Sequence, residues 1–96
     1  MGRRAFAAAV LLVMASSAVL AQSRDQNLCA GETGTAESRI AACTRVISSG
    51  KLKDQALAEV YRFRGYEYHT HLKNYDRAIA DYDQSIKLNP KSAYAF

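Results

Sequence analysis

The sequence predicts an all-α chain of antiparallel helix-turn-helix units. Three observations carry that prediction. Apolar residues recur at helical spacing in three separate segments, each with a cap at its start and a stop at its end. No run of alternating or β-branched residues stands between turn signals, so no strand is expected. Finally, Arg39–Ile47 (RIAACTRVI) aligns with Ala78–Ile86 (AIADYDQSI) at an offset of 39 residues, placing Ile40, Ala41 and Ile47 on Ile79, Ala80 and Ile86. Cys43 falls on Tyr82 and Val46 on Ser85. Internal periods of this size mark stacked helix pairs.

Residues 1–21, MGRRAFAAAVLLVMASSAVLA, have the layout of a secretory signal peptide. Arg3 and Arg4 form a basic start, an apolar run follows from Ala5 to Ala15, and Val19 and Ala21 are the small residues before a cut at Gln22. The apolar run is shorter than the roughly 20 residues a membrane span needs. An uncleaved anchor is the alternative, but the flanks fit a cleaved signal better. The stretch Arg3–Phe6 has a weak look of a twin-arginine export signal, which leaves the export route open. Cys29 stands too far past the cut for a lipoprotein.

Removing 21 of the 96 residues leaves 75 and takes away two arginines and no acid, so the net charge falls from +4 to +2. Basic residues are interleaved with acids and form no run, which excludes a nucleic-acid signature. The expected location is the periplasm or the outside of the cell, with no stable membrane insertion after cleavage. That compartment is oxidising, so the even pair Cys29 and Cys43 is a candidate disulfide. The alternative is two free thiols, with Cys43 filling the core. Their spacing fits neither a CxxC redox motif nor a zinc site.

Residues 22–35 are polar, carry Gly31 and Gly34, and read as an irregular lead-in. The first helix is expected over Ala36–Ser49, with Thr35 as N-cap, Glu37 in the first turn and Gly50 after the end. Ile40, Cys43, Val46 and Ile47 form its apolar stripe. After a short basic loop, Asp54 is expected to cap a second helix from Gln55 to about Leu72. Leu57, Val60, Tyr61, Tyr68 and Leu72 would form its inner face. Asn74 caps a third helix, Tyr75 to about Leu88, with Ala78, Ile79, Tyr82 and Ile86 as its stripe. Asn89-Pro90 stops it, since proline disfavours helix at the preceding residue and cannot continue the ladder.

Tyr61-x-x-Arg64-Gly65-x-x-Tyr68, followed by Ala78-x-x-x-Tyr82, Ser85 and Pro90, resembles the tetratricopeptide repeat (TPR). The resemblance implies a TPR-like α-solenoid fragment: a degenerate half repeat over 36–50, a full repeat over 58–91 and the start of a further one at 92–96, all within a helical domain of residues 36–96. It also implies packing roles. Gly65 lets the partner helix approach, Ala78 is small where helices cross, Tyr61, Tyr68 and Tyr82 fill the space around them, and Pro90 breaks the chain before the next unit. Arg64 and Ser85 depart from the pattern, which has an apolar residue and Ala there, and the Tyr68–Ala78 gap is one residue longer. The whole resembles exported bacterial repeat proteins of this kind.

The residues offer little catalytic chemistry. His69 and His71, two apart on a helix, point about 200° from each other and do not share a metal easily. Asp81 and Asp83 diverge in the same way, and with Asp76 they read as a solvated acidic face. Tyr61, Tyr68, Tyr75 and Tyr82 read as packing residues. No enzyme activity, metal or cofactor is expected.

In the resembled family the first helix of each pair lines a peptide groove. The positions here that would face it are Glu59, Arg62, Tyr66 and His69. Arg62 suits a carboxylate, and Tyr66 a flat apolar contact. The asparagine-and-lysine set that some relatives use to clamp a peptide C-terminus is absent. The expected function is therefore an exported, non-enzymatic protein–protein interaction module or scaffold that binds a protein or peptide. The alternative is an accessory or regulatory subunit of an exported enzyme or of a secretion or cell-envelope assembly. A repeat buries its apolar face only against neighbours. Tyr94 and Phe96 would thus need either further repeat sequence or another chain, with self-association through the open C-terminal end as one outcome.

Overall fold

The computed structural model describes residues 19–91. The body of the expected signal peptide (1–18) and the expected start of a further repeat (92–96) lie outside the described residues. Among the described residues the regular structure is helical: a first helix, α1, covering 19–30, then α2 (Ala36–Ser48), α3 (Asp54–Thr70) and α4 (Tyr75–Leu88). A single 3₁₀ turn follows at 90–91.

Local chemistry sets most helix ends. The Thr35 hydroxyl accepts from the Ser38 amide at 3.0 Å, and the Ser38 hydroxyl accepts from the Thr35 amide at 2.9 Å, a reciprocal capping box. Gly50 follows the C-cap of α2 at φ +68°, a conformation that costs a residue with a Cβ far more, and donates to Ile47 O. The Asn74 side chain accepts from the Arg77 amide at the start of α4. Asp54 departs from expectation: it is not the cap but the first helical residue, at φ +51°. Lys53 precedes it as N-cap without a side-chain hydrogen bond. Helix α3 ends at Thr70 rather than Leu72, and Leu72 is 39% exposed.

The segment 22–35 is not irregular throughout. Residues 22–30 are helical, and only 31–35, which hold both glycines, form a loop. The reason is non-local. Cys29 is bonded to Cys43, with Cα atoms 4.8 Å apart, and Arg45 on α2 grips the Asp25 carboxylate with two hydrogen bonds of 3.1 and 2.9 Å. These contacts run antiparallel, so α1 and α2 form a hairpin. The half repeat expected at 36–50 therefore has a helical partner upstream.

Each later pair of consecutive helices is also antiparallel. Arg39 meets Glu67 and Thr44 meets Arg64 between α2 and α3. Arg64 meets Asp81, and Ser85 meets Ala58, between α3 and α4. The 39-residue offset extends to burial. Arg39, Ala42 and Val46 are buried, as are Ala78, Asp81 and Ser85, while Ala41, Thr44 and Arg45 are exposed, as are Ala80, Asp83 and Gln84. At the same offset the bonded pair Cys29 and Cys43 falls on Tyr68 and Tyr82, two of the aromatic residues of the α3–α4 hairpin.

The core joins Cys29, Ala42, Cys43, Val46 and Val60, with Leu28, Ile47, Leu52 and Phe63 packed around them. Between α3 and α4 the fit is close: a Cβ built on Gly65 would stand 2.9 Å from the Tyr82 ring and 3.2 Å from Asp81 Cβ. Three expectations for α4 fail here. Ile79 is 58% exposed and Tyr75 is 54% exposed, while Asp81, read as solvated, is buried. The face turned to α3 is chosen by small size at Ala78 and Ser85 and by an ionic partner for Asp81, not by hydropathy.

Candidate functional site

Helix α3 carries Glu59, Arg62, Tyr66 and His69 at intervals of three, four and three, along one face. The structure divides these four. Arg62 and Tyr66 line a cleft of about 500 Å³ together with Phe63 and Glu67 of α3, Arg39 of α2, His71, Cys29 and Ala30 at the end of α1, and Gly31 and Glu32 of the loop after it. Glu59 braces Arg62 by an ion pair of 3.1 Å, and the Arg62 guanidinium lies 4.8 Å over the Phe63 ring. Tyr66 is half exposed, with its ring edge-on to His71 at 6.2 Å. His69 turns towards α4, 5.9 Å from the Tyr75 ring and 6.4 Å from Tyr82.

The floor of the cleft is a buried ion pair. Arg39 Nε donates to Glu67 Oε1 at 2.7 Å, and a second guanidinium nitrogen donates to Oε2 at 3.1 Å. The remaining nitrogen donates to the carbonyls of Glu32, Thr33 and Gly34 at 3.4, 3.0 and 3.0 Å. One guanidinium thus ties α2, α3 and the 31–35 loop together, and the forked geometry of arginine is what allows it. The Glu67 hydrogen bond raises the Arg39 pKa above its ordinary value, against burial, which lowers it. His71 Nε2 lies 3.7 Å from Glu67 Oε2, the oxygen that also accepts from Arg39.

A second polar junction ties α3 to both α2 and α4. Arg64, the residue that departs from the repeat pattern, makes bidentate hydrogen bonds of 2.8 and 2.7 Å to Asp81 and a third of 3.1 Å to the Thr44 hydroxyl. The Asp81 hydrogen bond raises its pKa, again against burial. Ser85, the other departure, donates to the Ala58 carbonyl at 2.8 Å. Among the described residues no buried side-chain nitrogen or oxygen lacks a partner, so these polar groups are compatible with the packed helices around them.

Arg39 and Glu67 were not among the expected site residues. Their signal is faint but present: Arg39 stands at i−3/i−4 from Ala42 and Cys43, on the buried line of its helix, and Glu67 adjoins Tyr68. Opposite charges at buried positions of neighbouring antiparallel helices imply a pair, yet only the tertiary contact shows which residues meet.

Among the described residues no group of three His, Cys, Asp or Glu side chains is placed to hold a metal, and no helix is long and apolar enough to cross a membrane. Comparison with family models, curated proteins and solved structures returns no match.

Proposed function

We propose that this chain is an exported, non-enzymatic interaction module of the tetratricopeptide-repeat kind, and that the cleft beside α3 receives a peptide segment of its partner. The observation that carries the reading is the cleft itself. It brings a guanidinium (Arg62), an exposed aromatic face (Tyr66) and an imidazole (His71) around one concavity with an apolar wall at Phe63. Concave sites with a few convergent polar groups on an apolar lining suit short ligands. The two antiparallel hairpins, related by the 39-residue offset in sequence and in burial, support the repeat architecture. The Cys29–Cys43 bond supports a periplasmic or secreted location, with cleavage near Ala21. The mature protein would then keep residues 22–30 of α1, both cysteines and the whole cleft.

The test is a peptide array probed with the full chain and with Arg62→Ala and Tyr66→Ala variants. The reading expects a defined set of peptides bound by the parent and lost by both variants, with helicity by circular dichroism retained. The same peptides bound equally by all three proteins would remove the cleft from the account.

A further inference from the structure

Tyr75, Ile79, Tyr82 and Ile86 recur on α4 at intervals of four, three and four, which places them on one line along the helix. The buried line of α4 is Ala78, Asp81 and Ser85, against α3; of the four residues above, Tyr82 also packs over Gly65 of α3. Tyr75 and Ile79 are more than half exposed, and Tyr82 and Ile86 are half-buried. On the α3 side the line is walled by the His69 ring, in contact with Tyr75 and Tyr82. On the far side, where Lys87 stands in the last turn, run Asp76 and Asp83, seven residues apart and so also in line. Both are exposed, and among the described residues neither forms an ion pair or a side-chain hydrogen bond.

We propose that this apolar line is a docking surface for an amphipathic helix of another protein that carries basic residues along one flank. The line spans twelve residues from Tyr75 to Ile86, about 17 Å at the helical rise, which suits a partner helix of about three turns. Apolar anchors at the same intervals would lie along Tyr75, Ile79 and Ile86, and Lys or Arg residues seven apart would reach Asp76 and Asp83. Charge complementarity selects this occupant. Two copies of α4 packed antiparallel along the same line would bring Asp76 of each against Asp83 of the other, and like charges repel. The surface lies on α4, apart from the cleft, and stands whether or not the cleft binds peptide.

The experiment uses the full chain and two designed helical peptides of about 14 residues with the same leucine line. One carries two lysines seven apart on its flank, and the other carries two glutamates there. Fluorescence anisotropy at low salt is expected to show the lysine peptide binding at least about fivefold more tightly, as two partly exposed ion pairs allow. Ile79→Glu should abolish binding of the lysine peptide with helicity unchanged, and Asp76→Asn with Asp83→Asn should erase the preference between peptides. Absent binding, equal affinity for both peptides, or binding untouched by Ile79→Glu would overturn the proposal. So would a peptide-free dimer in light scattering that Ile79→Glu dissolves, since that would assign the line to a second copy.

Discussion

Gly65 sits where α3 and α4 touch, and its missing Cβ is a packing requirement. An alanine there meets the Tyr82 ring at 2.9 Å. Overpacking of this kind costs about 1–3 kcal/mol, while the better helix propensity of alanine returns at most about 1 kcal/mol. Gly65→Ala should therefore destabilise by about 1 kcal/mol, lowering the thermal midpoint by about 4–8 °C. The Asp81 and Ser85 side chains separate a paired charge from a single neutral hydrogen bond. Asp81→Ala leaves Arg64 without its carboxylate. The loss should be about 2 kcal/mol, below that of a fully buried pair because the guanidinium stays partly wet. Ser85→Ala should cost about 1 kcal/mol or less. Urea denaturation of both variants checks the order.

Tyr82 gives a signed pH effect. Burial raises its phenol above the ordinary value of 10.0, with the nearby Tyr66 adding to the shift and Arg62 opposing it. The folded state then holds this proton more tightly than the unfolded one. Stability is unaffected below about pH 10 and falls as the pH rises beyond it. Tyr82→Phe should remove that part of the alkaline loss, read from unfolding midpoints between neutral and alkaline pH. Arg39 and Arg64 add nothing in this window. Their pKa values are raised above the already high arginine value, so the stability each contributes is fully present through this window and lost only at still higher pH.

Helix ends were legible wherever local chemistry sets them: the side-chain caps Thr35 and Asn74, the left-handed Gly50 and the Asn89-Pro90 stop. Helix α1 was not, because little in its sequence marks it as a helix. Its apolar residues stand at its two ends, 19–21 and 28–30, with a polar run between them, and form no helical stripe. What holds it against the rest is distant in sequence: the bond to Cys43, the Asp25–Arg45 pair and the burial of Cys29. Closing a loop of this length contributes about 3 kcal/mol in the chain-entropy picture. Reduction, or Cys43→Ser, should therefore loosen α1 and the 31–35 loop while leaving the α3–α4 hairpin folded. Amide hydrogen exchange would show protection lost over residues 22–35 and kept over 58–69 and 78–88. Uniform loss along the chain would mean that the hairpins do not respond separately. The face of α4 was misread for a related reason. Hydropathy ranks Ile79 above Asp81 as a core residue, but Arg64, seventeen residues earlier, reverses their places.

The molecule as a whole reads as two antiparallel hairpins with the same inward positions, one closed by a disulfide and the other by aromatic packing. The helices of the second hairpin were visible in the sequence through their caps and periodicity, the inward face of α4 was not, and Arg62 and Tyr66 followed as groove positions from the resemblance to the tetratricopeptide repeat. The rest of the cleft was hidden because three elements build it: the end of α1, Arg39 of α2 and the α3 face meet only through the fold. The central claim is that this shared cleft, and not α3 alone, recognises the partner. The most direct measurement is an amide chemical-shift map of the full chain titrated with a peptide recovered from the array. The largest changes are expected together on Cys29–Glu32, Arg62, Phe63, Tyr66 and His71. Changes confined to other surfaces, with those positions unmoved at saturation, would contradict it.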